Sequence, residues 1–120
     1  MSTRVLVADD SSTMRKIILR SLNAVGVPSA VEAADGEEAI RLFTPGEFDL
    51  VLTDWNMPGK NGLDVITEIR QKDKNVPIIM VTTEAEKSRV LEAIQAGVSD
   101  YLVKPFTADT LREKLEKHGC

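Results

Sequence analysis

Apolar residues along this chain follow two alternating rhythms. Unbroken runs at Val5-Leu6-Val7-Ala8, Leu50-Val51-Leu52-Thr53, Ile78-Ile79-Met80-Val81 and Tyr101-Leu102-Val103 are separated by segments where apolar residues recur every three or four positions. Runs of this length read as strands buried on both faces of a parallel sheet, and the wider spacing reads as amphipathic helices. Met14, Ile17, Ile18, Leu22 and Val25 mark a first helix, with Ser12 or Thr13 as N-cap and Gly26 as its stop. Val31 to Ala33 forms a weaker second strand. A helix from about Glu37 follows, with Ala39, Ile40 and Phe43 inward and Pro45-Gly46 at its end. The loop Met57-Pro58-Gly59-Lys60-Asn61-Gly62 opens a third helix that buries Leu63, Ile66 and Ile69. A fourth helix with Val90, Leu91 and Ile94 leads to Ala96-Gly97, and Ala108, Leu111 and Leu115 define a fifth. The charged stretch Arg70 to Asn75 reads as a solvated helix end and turn.

Five strand–helix units predict an α/β fold: a three-layer (βα)5 doubly wound parallel sheet of flavodoxin-like type, strand order 2-1-3-4-5, with helices on both faces. Residues 1–120 are expected to form one domain. In that order the first and third strands are neighbours and the second lies at an edge, contributing no polar group to the site described next.

Each strong run stops on polar chemistry: Asp9-Asp10, Asp54, Thr82-Thr83 and Lys104-Pro105. In open α/β sheets the ligand crevice lies beyond the carboxyl ends of the strands, so these residues are expected to meet on one edge. Taken singly, a strand-end Asp or Thr is a helix cap and a lone lysine is solvated. Taken together they are chemically complementary. Clustered carboxylates repel one another unless a cation neutralises them. Mg²⁺ suits a site of one or two carboxylates, retained waters and phosphate oxygens. A nucleophilic carboxylate, a metal, a lysine and a hydroxyl make a phosphoryl-transfer set.

Composition narrows the setting. The chain has 120 residues, 42% hydrophobic and 28% charged, as in ordinary globular domains. Its net charge of −4 argues against a nucleic-acid footprint, which needs a basic stripe. No apolar stretch approaches the roughly 18 residues of a membrane span. The first strand begins so early that no signal peptide is expected, and Cys120, the sole cysteine, has no disulfide partner within the chain. A cytoplasmic monomer is the expectation.

The acid pair Asp9-Asp10, Asp54 followed by Met57-Pro58 and Asn61-Gly62, Thr82 closing its strand, and Lys104-Pro105-Phe106 resemble the receiver domain of bacterial two-component response regulators over essentially the whole chain. Asp54 to Pro58, and Ala96-Gly97 through Tyr101 to Thr107, look most like its chemotaxis branch. The resemblance implies that Asp54 accepts a phosphoryl group from a phosphohistidine on a sensor histidine kinase. It implies Mg²⁺ held by Asp10, Asp54 and the backbone carbonyl of Asn56, with Asp9 acting through water. Lys104 would contact the phosphoryl group and Thr82 would hydrogen-bond it. The Lys104–Pro105 bond would be cis. Tyr101 would then move, remodelling a face that includes Lys87, Val90, Ile94, Val103 and Lys114, so that a target such as the flagellar motor switch binds. Val90 and Ile94 fit core packing equally well, whereas the place of Tyr101 two residues after the Gly97-Val98-Ser99 turn favours the switch over a plain core aromatic.

The resemblance implies a self-catalysed switch, not a turnover enzyme, with Asn56 and Glu84 favouring a short-lived phosphorylated state. Two residues depart from the pattern: Thr83 stands where the family favours a small residue, and Glu86 is acidic where the chemotaxis proteins are basic. Nothing follows the fifth helix here, so a stand-alone regulator is expected; a longer reading frame would carry a different output. A haloacid-dehalogenase-like phosphatase needs a D-x-D motif, and the acids here are adjacent. A flavodoxin-like cofactor binder needs a Gly- and hydroxyl-rich phosphate loop, where Asp9-Asp10 would repel phosphate. Gly59-Lys60 lacks nucleotide-loop spacing. Trp55 is expected exposed or half exposed beside the site, and His118 is expected to be a favourable charge at a helix end.

Overall fold

A computed structural model describes residues 3–83 and 88–120. Its strands are β1 (Val5–Ala8), β2 (Val31–Ala33), β3 (Leu50–Asp54), β4 (Ile78–Thr83) and β5 (Asp100–Lys104). Its helices are α1 (Ser12–Ala24), α2 (Gly36–Leu42), α3 (Gly62–Lys72), α4 (Val90–Ala96) and α5 (Ala108–Lys117). The strands pair in parallel in the order β2-β1-β3-β4-β5, as the alternation predicts.

Successive strand residues point to opposite faces, and the core divides accordingly. Leu6, Ala8, Val51, Ile78 and Met80 join Ala39, Phe43, Val65, Ile66, Ile69 and Ala93 beneath α2, α3 and α4. Val5, Val7, Leu50, Leu52, Ile79, Val81 and Leu102 join Ile18, Leu22, Leu111 and Leu115 beneath α1 and α5. Burial of both faces explains why the strands read as continuous apolar runs.

Several expectations are corrected. Ser11, not Ser12 or Thr13, caps α1, its Oγ accepting the N–H of Met14 at 3.1 Å. On α3, Val65 is fully buried while Leu63 is only partly so. On α4, Leu91 and Ile94 are 64% and 55% exposed, while Ala93 is buried and Val90 partly buried. Residues 90 and 93 form one stripe and 91 and 94 the next, about 100° around the helix, so both cannot face the sheet. Arg70 is not simply solvated. Its guanidinium donates to the carbonyls of Gly97 at 2.8 Å and Asp73 at 3.2 Å, and to Ser99 Oγ at 3.2 Å, tying the end of α3 to the turn before β5.

One close approach sets the floor of the functional edge. The Gly62 N–H donates to the Trp55 carbonyl at 2.8 Å. A Cβ at Gly62 would lie 2.5 Å from the backbone oxygen of Asp54. Asn61 and Asp64 complete a reciprocal capping box that fixes the start of α3 there. Gly62→Ala is therefore expected to lower unfolding free energy by roughly 1–3 kcal/mol, the cost of overpacking a fixed backbone. Denaturant titration at unchanged m value checks this, with Gly46→Ala, which meets nothing within 4 Å but has φ +84, as the strain-only comparison.

Candidate functional site

The carboxyl edge of the sheet gathers the predicted residues. β1 delivers Asp9 and Asp10, β3 ends at Asp54, and β5 ends at Lys104. One carboxylate oxygen each from Asp9, Asp10 and Asp54 lie within 4.8 Å of one another. Asp9 is 1% and Asp54 7% exposed, whereas Asp10 faces solvent. Lys104 Nζ stands 3.4 Å from both Asp9 Oδ2 and Asp54 Oδ1, with its own side chain only 17% exposed. The Lys104–Pro105 bond is cis, in keeping with the resemblance.

Local hydrogen bonds orient these groups. Asp9 Oδ1 accepts the Ser11 N–H at 2.9 Å, and Asp54 Oδ1 accepts the Trp55 N–H at 2.8 Å. Burial raises the Asp54 pKa to about 6; Lys104 opposes that rise, the charge of Asp9 adds to it, and the Trp55 N–H opposes it. The carboxylate is thus more basic than usual yet ionised at neutral pH. Ligand atoms so close, all hard oxygens, match what a small divalent cation requires. The residues present fit Mg²⁺.

Thr82 is fully buried, with its hydroxyl 3.4 Å from the Thr83 carbonyl. The parallel register sets Thr83 opposite Lys104 and Asp54 opposite Val81, so Thr82, one residue before the end of β4, lies at the level of the cluster. Asn56 lies exposed in the turn after Asp54. Trp55 corrects the expectation: it is 2% exposed. Its ring joins the core beneath α2, α3 and α4, and the Arg89 guanidinium lies 5.2 Å from the ring centroid. Tyr101, Val103 and Lys114 are half-buried, and Ile94 is exposed. Lys87, Glu84 and Glu86 lie outside the described residues.

Sequence reasoning missed Asp100. This carboxylate at the start of β5 accepts Lys114 at 2.9 Å and the Tyr101 N–H at 2.8 Å on Oδ1, and Lys117 at 3.3 Å and His118 at 3.0 Å on Oδ2. Burial works against its ionisation, but hydrogen bonds from Lys114, His118, Tyr101 and Lys117 prevail and hold it far below the usual carboxylate range. Because an ionised carboxylate only accepts, His118 donates. Lys114 Nζ also lies 5.2 Å from the centroid of the Tyr101 ring. The signal was present: 114, 117 and 118 share one helical face.

The chain matches the response regulator receiver domain across residues 5–116, and it belongs to that family. It is 47% identical over 116 residues to chemotaxis protein CheY-3 of Vibrio cholerae, covering 95% of this chain and 89% of that protein. It is 49% identical over 116 residues to a CheY homolog of Campylobacter jejuni, covering 94% and 89%. The solved structure of response regulator TrrA from Thermotoga maritima, in complex with Mg(2+)-BeF, superimposes with a TM-score of 0.84 at 38% identity. That alignment covers 97% of this chain and 98% of TrrA.

The two carboxylates give opposite pH dependences. Asp54 binds its proton more tightly folded than unfolded, so in chelator its contribution makes stability fall as pH rises from 3.8 to about 6. Asp54→Asn is expected to be more stable than the parent at pH 7 by on the order of 1–3 kcal/mol, with the gap closing below pH 4. Asp100 has the reverse sign: its contribution is complete above 3.8 and is lost as pH falls below it. Asp100→Asn should flatten the acid limb only. Denaturant titrations of parent and variants across pH 3 to 8 measure both slopes.

Proposed function

We propose that this chain is a phosphorylation-dependent signalling switch of the chemotaxis type, with Asp54 as phosphoacceptor. The observation that carries the reading is the placement of a buried, unusually basic Asp54 carboxylate 3.4 Å from Lys104 and beside Asp9 and Asp10. An oxygen of Asp54 attacks the phosphorus of a phosphohistidine on a sensor histidine kinase. The P–N bond breaks and the imidazole departs with its electron pair, leaving an acyl phosphate on Asp54. Asp10, Asp54 and the Asn56 carbonyl would hold Mg²⁺, with Asp9 acting through water, and the ion would supply charge neutralisation for the transferring oxygens. The Mg(2+)-BeF complex of TrrA supports this assignment.

Lys104 balances the phosphoryl oxygens, and the Thr82 hydroxyl turns from the Thr83 carbonyl to donate to them. That movement frees space for Tyr101, whose ring is held by Lys114 in this structure. The face formed by Val90, Ile94, Tyr101, Val103 and Lys114 then engages a downstream protein, and the chemotaxis relatives support a flagellar motor component. The protein acts as a switch, not as a turnover catalyst, and its phosphorylated form is short-lived.

Intact mass spectrometry with Mg²⁺ and acetyl phosphate tests the assignment. One phosphoryl adduct is expected, absent in chelator and in Asp54→Asn, and it should not persist for hours once donor is removed. An equal adduct on Asp54→Asn would place the phosphate elsewhere. Lys104→Ala removes a charge whose electrostatic stabilisation is worth on the order of a hundredfold or more. Its adduct should form correspondingly more slowly, with the folded structure retained by circular dichroism.

A further inference from the structure

The acid pair is held from behind by a residue that the phosphoryl chemistry does not use. Arg15, early in α1, has a side chain only 15% exposed. Its Nη1 donates to the carbonyl of Asp9 at 2.6 Å, and its Nε donates to Glu32 Oε1 on β2 at 3.0 Å. The N–H of Asp9 donates to the Ala33 carbonyl, also on β2, at 3.1 Å. Both peptide groups flanking Asp9 are therefore anchored to the edge strand, one directly and the other through Arg15.

The Asp9 carbonyl belongs to the peptide that joins Asp9 to Asp10. Fixing it fixes the plane from which the Asp10 carboxylate projects. Asp10 faces solvent, and among the described residues no side-chain hydrogen bond or ion pair holds its carboxylate. Its direction thus depends on the backbone beneath it. We propose that Arg15, braced by Glu32, is the positioning residue that aims Asp10 at the metal and matches the site to Mg²⁺. This rests on the reading of the acid cluster as a Mg²⁺ site. Mg²⁺ demands near-ideal octahedral geometry at short distances, whereas Ca²⁺ accepts looser and more variable ligand sets. A rigid clamp on the Asp9–Asp10 peptide therefore favours the smaller ion.

A charge effect and a positioning effect differ in sign here. A guanidinium near a cation site repels the cation, so by charge alone Arg15→Met would tighten Mg²⁺ binding. As a positioning residue, its loss weakens binding, in the manner of outer groups that orient metal ligands. Arg15→Lys separates the roles further: it keeps the charge but lacks the planar fork that reaches two acceptors at once.

Calorimetric titration of the parent protein, Arg15→Lys and Arg15→Met with Mg²⁺ and separately with Ca²⁺, at one pH and ionic strength, tests this. Thermal unfolding confirms that each variant is folded. Both variants are expected to bind Mg²⁺ about tenfold or more weakly than the parent. Ca²⁺ affinity is expected to change by no more than about threefold. Unchanged or tighter Mg²⁺ binding in Arg15→Met, parental behaviour of Arg15→Lys, or equal losses for both ions would each overturn the proposal. If Arg15→Met does not fold, Arg15→Lys carries the test. A parent protein that binds no Mg²⁺ would instead refute the reading of the acid cluster itself, and the proposal with it.

Discussion

Like charge at the end of an apolar sheet is the constraint around which this protein is organised. Asp9 and Asp54 are buried, Asp10 is close to both, and among the described residues Lys104 is the one cation paired with both buried carboxylates. Burial and neighbouring charge hold the Asp54 proton more tightly than water would, so the site stores an electrostatic demand that a divalent cation or a phosphoryl group rearranges. The surrounding structure serves to keep these groups from relaxing apart. The Trp55 N–H and the Ser11 N–H hold the Asp54 and Asp9 carboxylates directly, while the close approach of Gly62 and the Arg15 clamp fix the backbone from which these short side chains project.

The fold was legible because burying both faces of a parallel sheet leaves a simple trace. Every strong apolar run became a strand, and the polar residue that stopped it reached the ligand edge. Helix faces were harder to read. Val90, Leu91 and Ile94 fall within one arc of about 100° on a short helix, and only packing against α3 and the sheet selects which edge of that arc is inward. Trp55 defied its polar neighbours because the chain turns sharply after Asp54 and drives the ring into the core. Asp54 was legible as a site residue, whereas its neighbours' supporting roles were not. Arg15 and Glu32 are far apart in sequence and meet only because β2 lies beside β1. Pairings between charged side chains leave no periodic signature, so only the tertiary structure reveals them.

The far side of the molecule repeats the same solution in the opposite sense. Asp100 is a single carboxylate surrounded by Lys114, Lys117 and His118, and it is held ionised where Asp54 is held closer to protonation. Its ligands come from the last turns of α5, so the clasp joins the end of the helix to the beginning of β5. Tyr101 follows Asp100 directly, and its N–H and ring are engaged by the same carboxylate and the same lysine. Arg70 braces the turn that precedes it. The strand that carries the lysine of the phosphoryl edge is therefore pinned at its other end by an independent set of ion pairs.

Lys104 lies 95 positions after Asp9, and that separation bears on how the molecule is assembled as it is synthesised. The acids of β1 and β3 leave the ribosome long before the lysine that offsets them. A partly folded chain lacking β5 would place its carboxylates together with no internal cation between them. Docking of β5 completes the sheet and brings Lys104 to the carboxylates of Asp9 and Asp54. Non-local pairings of this kind slow folding. In this protein the same ion pairs that prepare the edge for chemistry also report that the last strand has arrived.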